Sequence, residues 1–197
     1  MTNVKKMKKK IVILASGTGS LTQALINSVA CGELDLEIIE VISDQPQAMV
    51  LERATKAGIR TFVHPMTSDR TEWDSELLLH VEALKPDLLV SVGFMRILSS
   101  RFVSRFKIIN SHPALLPNFP GAHPVRDAIR AGVPITGATV HWVDSGIDTG
   151  KVIAQRQLVI IAGESEDALH ERIKIIEQGL IVETLKILLP TLESDHV

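Results

Sequence analysis

Apolar runs, many of them rich in β-branched residues, alternate with amphipathic segments along most of the chain, and this alternation limits the possible folds more than any other feature. Apolar runs with few polar interruptions are typical of strands that are buried on both faces. Strands that alternate with helices favour a parallel sheet with helices on both sides. We therefore predict a single three-layer α/β domain around a mostly parallel, twisted sheet of about seven strands.

The predicted elements follow the apolar and amphipathic segments. Strands are expected at Ile11–Ala15, Leu36–Ser43, Arg60–Val63, Asp87–Val92, Phe106–Ser111, Gly137–Val143 and Lys151–Ile160. Helices are expected at Leu21–Ala30, Pro46–Lys56, His123–Ala131 and Ser165–Leu189, and a further helix, capped by Ser68 or Asp69, is expected to run through Leu84. Ligands of such sheets bind beyond the carboxyl ends of the strands. We therefore look for chemistry just after the strand ends.

The composition excludes several classes of partner. A formal net charge of -2, from 21 basic and 23 acidic residues, argues against a general nucleic-acid binder. No apolar run reaches the length of about 20 residues that a membrane span needs. Cys31 is the single cysteine, so an internal disulfide is impossible, which fits a cytoplasmic protein. The oligomeric state, monomer or homodimer, is left open.

A glycine-rich turn, Gly17-Thr18-Gly19-Ser20, follows the first predicted strand and precedes the first predicted helix. Glycine lets the backbone approach a ligand closely, and the start of a helix offers free N–H groups to an anion. The turn contains no lysine, and Thr22 occupies the third glycine position of the dinucleotide-binding motif. The turn indicates a phosphate site; a plain structural turn and a nicotinamide site are the alternatives.

Asn110 and His112 end the fifth predicted strand on the same face, because successive strand residues alternate. An amide N–H can stabilise an oxyanion, and an imidazole can transfer protons near neutral pH. The pair fits acyl transfer through a tetrahedral intermediate, although a hydrogen-bonded strand end explains the same residues. Two prolines and a glycine in residues 117–121 then predict a rigid loop.

A later carboxylate is expected to face His112, orient its ring and keep it protonated. Asp148 and Asp144 both lie in the glycine-containing loop at residues 144–150, and spacing alone does not choose between them. His141 alternates within an apolar strand, and we expect it to be structural. None of the histidines has a spacing to cysteine or acidic residues that is typical of metal ligands, so we expect no metal.

Several segments, taken in order, resemble the folate-dependent formyltransferases. They are NSHPALLP at residues 110–117, FPG at 119–121, DTG at 148–150, GTGS at 17–20 and GFMRIL at 93–98. The resemblance spans Lys10 to Leu189. It implies a Rossmann-like formyltransferase fold that moves the formyl group of 10-formyltetrahydrofolate, a co-substrate, to the primary amine of glycinamide ribonucleotide in purine biosynthesis.

The resemblance also implies roles for particular residues. The catalytic trio would be Asn110, His112 and Asp148. The substrate-binding residues would be Gly19, Ser20, Leu21, Lys174 and Glu177. The folate-binding residues would be Arg70, Met95, Arg96, Ile97, Leu98, Asn110, Asp144, Ser145, Gly146, Ile147 and Asp148. The domain would then have a phosphate-binding amino-terminal half and a folate-binding, catalytic carboxy-terminal half in residues 10–197, after a flexible basic tail at residues 1–9.

Some of these expectations are specific. Arg96 suits the glutamate tail of the folate, Glu177 suits ribose hydroxyls, and the peptide bond before Pro117 is expected to be cis. The family commonly has asparagine where this chain has Leu21, so a phosphate would lose a side-chain amide but keep the backbone N–H. Protonated His112 and the Asn110 amide would stabilise the negative charge on the formyl oxygen.

Other members of the family are the main alternatives. A methionyl-tRNA formyltransferase normally carries an extra carboxy-terminal domain, and a formyltetrahydrofolate hydrolase an extra amino-terminal one. We expect neither here, since about ten residues precede the first strand and the chain ends at Val197. A nucleotide-binding module without catalysis is an alternative of a different class.

Overall fold

A computed structural model describes residues 8–192 and contains a seven-stranded sheet with the order β3-β2-β1-β4-β5-β6-β7. The strands are β1 (Lys9–Leu14), β2 (Leu36–Ser43), β3 (Arg60–Val63), β4 (Leu88–Ser91), β5 (Ile108–His112), β6 (Ile135–Trp142) and β7 (Val152–Val159). The helices are α1 (Ser20–Ala30), α2 (Met49–Lys56), α3 (Arg70–Leu84), α4 (Ser100–Arg105), α5 (Pro124–Arg130) and α6 (Glu166–Leu188), followed by a 3₁₀ turn at Leu189–Thr191. The predicted α/β architecture is confirmed. Residues 1–7 of the predicted tail lie outside the described residues.

The order of the strands creates one reversal in the direction of winding. The first five strands are parallel, β6 pairs antiparallel with β5, and β7 pairs antiparallel with β6. The chain winds outward from β1 through β2 to β3, and then returns to place β4 on the other side of β1. The carboxyl ends of β1 and β4 therefore flank the switch point, where ligands of such sheets bind.

Two apolar layers cover the sheet because strand residues alternate between its faces. In β1, Ile11 and Ile13 belong to the core beneath α1 and α6, and Val12 and Leu14 belong to the core beneath α3. All four side chains are completely buried. This two-sided burial explains why β1 contains no polar residue after Lys10.

The structure differs from the prediction at two helices. The α2 helix begins at Met49 rather than at Pro46, because Ala48 is still extended and residues 45–48 form a turn closed by the Ala48 N–H and the Gln45 carbonyl. The α4 helix was not predicted. Its six residues are too few to show a helical period, and its clearest signal is Ser99, whose hydroxyl accepts the Phe102 N–H. No helix within residues 8–192 is long and apolar enough to cross a membrane.

Two isoleucines of α6 test this packing with the same chemical change. Ile181 is fully buried under the sheet, and Ile187 is 76% exposed. We expect I181A to lower the free energy of unfolding by about 2–5 kcal/mol, because it removes buried methyl groups and leaves a cavity. I187A should stay within about 0.5 kcal/mol of the parent. Urea unfolding followed by circular dichroism measures both, and equal losses would contradict the burial described.

Candidate active site

Four polar side chains meet beyond the carboxyl end of β5. Asn110 and His112 project from the same face of β5, His141 lies on the neighbouring β6, and Asp148 lies in the loop after β6. The Nδ1 atom of His112 lies 3.4 Å from an oxygen of Asp148, and the Nε2 atom of His141 lies 3.5 Å from the other oxygen. Of the two acidic residues considered from the sequence, the structure thus places Asp148 at His112.

The Asp148 carboxylate is the anchor of this cluster. The Gly121 N–H donates to its Oδ2 atom at 2.8 Å, and the two imidazole rings lie 3.4 and 3.5 Å from its oxygens. Burial by itself would raise the pKa of Asp148, but His141, the Gly121 N–H and His112 together hold this pKa below its usual value. Asp148 is therefore ionised at neutral pH and presents a negative charge to both rings.

The Asn110 amide has a fixed orientation. The Ser91 hydroxyl, at the end of the adjacent strand β4, donates to the Oδ1 atom of Asn110 at 2.8 Å. The amide nitrogen consequently faces the site, 3.2 Å from the Nε2 atom of His141. An amide nitrogen held in this way is a pre-oriented donor for an oxygen that gains negative charge.

The sequence analysis assigned His141 to a structural role, but the structure places its ring inside the polar cluster. Antiparallel pairing sets Asn110 directly opposite His141. The Nδ1 atom of His141 lies 2.8 Å from the Trp142 carbonyl, which can only accept, so Nδ1 carries a proton. A neutral His141 then accepts from Asn110 through Nε2, and a protonated one donates to Asp148.

His112 is 4% exposed, and its Nε2–H donates to the Phe119 carbonyl at 2.8 Å. Burial lowers the pKa of His112, and this effect outweighs the opposing effects of Asp148 and the Phe119 carbonyl. The expectation that Asp148 keeps His112 protonated is therefore wrong for the free protein. The sequence showed the carboxylate but not the depth of burial that opposes it.

The loop between β5 and α5 is rigid, as its two prolines and glycine predict, and side chains of β6 and β7 hold it by hydrogen bonds. Its Leu116–Pro117 peptide bond is cis. The Thr139 hydroxyl accepts the Leu116 N–H and donates to the Ala114 carbonyl, and the Gln155 amide donates to the Leu116 carbonyl. These bonds from β6 and β7 fix the segment that carries the Phe119 carbonyl and the Gly121 N–H.

The glycine-rich turn lies at the carboxyl end of β1, next to the switch point. Gly19 is the N-cap residue of α1 with φ +73°, and no side chain of residues 8–192 caps the helix. The first turn of α1 also contains no acidic residue. The N–H groups of Ser20 and Leu21 and the helix dipole are therefore directed at a position suited to an anion. The Leu21 side chain is buried, so only its backbone faces this position.

The Arg96 guanidinium is partly engaged by a carboxylate inside the protein. Its Nε atom donates to the Oδ2 atom of Asp44 at 2.6 Å, and the Asp44 side chain is completely buried. The other oxygen of Asp44 accepts from the Ser16 hydroxyl, which in turn accepts the Met95 N–H at 2.9 Å. The structure thus uses part of the Arg96 guanidinium internally and joins the glycine-rich turn to the 93–98 segment.

The other folate-binding candidates surround a second, more apolar surface. Met95, Ile97 and Ile147 are exposed by 67%, 60% and 54%, whereas Leu98 is packed into the core and offers a ligand mainly its backbone. Arg70 donates to the Ile97 carbonyl and pairs with Asp74. In the loop 144–150, Asp144 accepts from the Gly146 N–H and the Thr149 hydroxyl, which closes the loop on itself.

Lys174 and Glu177 occupy one side of α6 but do not pair with each other. Lys174 binds Glu171 at 2.6 Å, and Glu177 is 4% exposed and accepts the Ser111 hydroxyl at 2.7 Å. Burial raises the pKa of Glu177 to about 7, against smaller opposing effects of Ser111 and Lys174. The sequence did not point to the Ser111–Glu177 contact.

Comparisons with known proteins agree on one family. Residues 9–185 match the family described as formyl transferase. Phosphoribosylglycinamide formyltransferase of Mycobacterium tuberculosis is 44% identical over 180 residues, which cover 88% of this chain and 81% of that protein. The trifunctional purine biosynthetic protein adenosine-3 of Drosophila melanogaster is 39% identical over 187 residues, which cover 92% of this chain and 14% of that protein. The crystal structure of glycinamide ribonucleotide transformylase 1 from Symbiobacterium toebii superposes with a TM-score of 0.90 at 32% identity, covering 93% of this chain and 89% of that one.

Removal of the Asp148 charge should lower the pKa of His112 further. The carboxylate is the main influence that favours the imidazolium against burial, so D148N leaves only the Phe119 carbonyl to oppose burial. A titration of the His112 ring signals by NMR measures the shift, with D144N as the matched control because Asp144 does not contact His112. An unchanged His112 titration in D148N would contradict the assigned contact.

Glu177 should make stability depend on pH. Its folded pKa of about 7 lies above the usual glutamate value of 4.5, so the folded state keeps a proton that the unfolded state loses. The stability that this proton contributes is complete below about pH 4.5 and falls as pH rises toward 7. Compared with E177Q, the parent should therefore lose free energy of unfolding as the pH rises from about 4.5 to 7. A difference that stays constant from pH 4.5 to 7.5 would contradict the raised pKa.

Proposed function

The chain belongs to the formyl transferase family and is an enzyme that transfers a formyl group, and on that premise we propose its substrates and the roles of its residues. The formyl group of 10-formyltetrahydrofolate passes to the primary amine of glycinamide ribonucleotide. The products are formylglycinamide ribonucleotide and tetrahydrofolate, and the reaction is a step of purine biosynthesis. The observation that carries the proposal is the meeting of Asn110, His112 and Asp148 at the sheet edge that also presents the glycine-rich turn.

The reaction is a direct transfer through a tetrahedral intermediate. The amine nitrogen attacks the formyl carbon, a C–N bond forms, and negative charge develops on the formyl oxygen. The Asn110 amide, oriented by Ser91, donates to that oxygen without further rearrangement. The bond between the formyl carbon and N10 of the folate then breaks. The amine loses one proton and N10 gains one, so the reaction consumes no external acid or base.

His112 and Asp148 handle this proton. The neutral imidazole of the free enzyme is able to accept the proton that the attacking amine loses. The negative charge on the formyl oxygen and the Asp148 carboxylate both favour the resulting imidazolium, which then donates toward the leaving nitrogen. In this sequence of events His112 begins neutral and becomes charged during the reaction, which is how the depressed pKa and the oxyanion role fit together.

The two substrates approach from different sides of β5. The nucleotide phosphate binds the N–H groups of Gly19, Ser20 and Leu21 at the start of α1. Lys174 and Glu177 of α6 lie on the side that the ribose would face, and Glu177 must exchange or share its Ser111 hydrogen bond to bind a ribose hydroxyl. Asparagine is not needed at position 21 because the backbone supplies the donor.

The folate binds along the exposed apolar side chains of the 93–98 segment and the loop 144–150. Met95, Ile97 and Ile147 offer the apolar surface for its aromatic rings. Arg70 and the part of Arg96 that Asp44 does not occupy bind the carboxylates of the glutamate tail.

The proposed substrates are small soluble metabolites, so we also place the enzyme in the cytoplasm.

A coupled assay tests the substrates directly. We expect tetrahydrofolate to form only when glycinamide ribonucleotide and 10-formyltetrahydrofolate are both present, at a rate that follows the amine concentration. Folate release without the amine would identify a hydrolase. Binding of glycinamide ribonucleotide without turnover would identify a binding module, and either result contradicts the proposal.

Alanine substitution tests the two catalytic side chains. We expect N110A and H112A each to lower kcat by a factor of about 100 to 1000, the usual cost of losing one oxyanion donor or one acid–base group. N27A and H170A are the matched controls, since both residues lie on helices away from the cluster, and they should leave kcat within about twofold. Near-parental turnover of H112A, with the fold intact, would refute its role.

A further inference from the structure

Arg53 of α2 has no part in the site described above, yet its guanidinium is bonded on several sides next to the glycine-rich turn. The Nε atom donates to the Thr18 carbonyl at 2.8 Å. Nη1 donates to the Gln23 side chain of α1 at 3.3 Å, and Nη2 lies 3.7 Å from the sulfur of Met49. Arg53 therefore links α2, α1 and the turn between β1 and α1.

Two further contacts show that α2 shapes this turn. The Val50 N–H donates to the Gly17 carbonyl at 3.2 Å. The Val50 side chain packs against Gly19, where an added Cβ would lie 2.6 Å from the Val50 Cγ2 atom. The turn is thus held between β1 and α2 over three successive residues, Gly17, Thr18 and Gly19.

The contact with Thr18 sets the direction of a donor. In a trans peptide, the carbonyl of one residue and the N–H of the next point in opposite directions. Because Arg53 draws the Thr18 carbonyl toward α2, the Gly19 N–H points away from α2. This N–H belongs to the group at the start of α1 that we assign to the phosphate.

The Arg53 guanidinium also places a positive charge beside the glycine-rich turn, which has no basic side chain of its own. Residues 16–20 include no lysine or arginine. Arg53 and Ser20 line the same groove of about 590 Å³ between α1, α2 and α6. The guanidinium lies on the α2 side of the Thr18–Gly19 peptide, across that peptide from the Gly19 N–H, and Thr18 and Gln23 hold it there. A phosphate at the start of α1 would therefore feel this positive charge across one peptide unit.

From these contacts, we propose that Arg53 is a positioning residue for phosphate recognition, which fixes the Thr18–Gly19 peptide and adds a nearby positive charge. The inference rests on the proposed function, because it assumes that the phosphorylated amine binds at this turn. It assigns to α2 a part in the specificity for phosphate that the motif at residues 17–20 does not supply alone.

Steady-state kinetics with two amines test the proposal. We expect R53M to raise KM for glycinamide ribonucleotide about tenfold or more. The released Thr18–Gly19 peptide no longer aims the Gly19 N–H at the phosphate, and a lost hydrogen bond to a charged group commonly costs that much. The value of kcat and the KM for 10-formyltetrahydrofolate should stay within about twofold. For glycinamide riboside, which lacks the phosphate, kcat/KM of R53M should match the parent. K56M, one turn further along α2 and paired with Glu52 rather than with the turn, is the control and should behave as the parent with both amines.

The outcomes separate this inference from the proposed function. If the parent enzyme does not formylate glycinamide ribonucleotide, the proposed function fails. If the parent does so and folded R53M keeps its KM, or loses as much on the riboside as on the ribonucleotide, the role of Arg53 is overturned. Should R53M not fold, R53K decides. Lysine replaces the planar fork of the guanidinium by a single nitrogen, which cannot keep the geometry of the Nε contact with Thr18 and the Nη1 contact with Gln23, so KM for the ribonucleotide should still rise about threefold or more. An unchanged KM in folded R53K would overturn the inference.

Discussion

One half-buried carboxylate, that of Asp148, organises the polar cluster at the carboxyl edge of the sheet. It binds the Gly121 N–H and faces both His112 and His141, so it joins the end of β5, the loop after β5 and the end of β6. Asp148 itself has φ +54°, a left-handed conformation that costs energy in a residue other than glycine. A charge that is largely removed from water needs such partners, because they offset the cost of its desolvation. The loops at this edge are therefore fixed in position by the same carboxylate that faces the two histidines.

Because side chains alternate along β5, the two faces of the strand end carry different polar groups. Asn110 and His112 point to the side that bears Asp148, and Ser111, between them, points to α6 and binds Glu177. The strand end consequently presents Asn110 and His112 on one face and the Ser111–Glu177 contact on the other. Under the proposed function, a nucleotide at the start of α1 and a folate beside the 93–98 segment would meet at the end of this strand. The switch between β1 and β4 creates the space for both.

The sequence predicted the features that local patterns encode. The strands were recognisable because two-sided burial gives continuous apolar runs, and Asn110 and His112 because a strand end at the carboxyl edge points to a site. The partnership of His141 was not predictable from spacing, because it depends on antiparallel register between β5 and β6. The depressed pKa of His112 and the capture of Arg96 by Asp44 depend on burial and on contacts between distant segments, which no local pattern shows. The site-residue roles themselves stay predictions.

The central claim is that Asn110 and Asp148 act on one reacting carbon through a shared cluster, and a kinetic double-mutant cycle measures this most directly. The cycle compares kcat of N110A, D148N and the double variant with that of the parent enzyme, with unfolding curves to establish that all four fold. If the two side chains act as a unit, the double variant should be little slower than the slower single variant. If the two factors multiply, Asn110 and Asp148 act independently and the account of a single cluster is wrong.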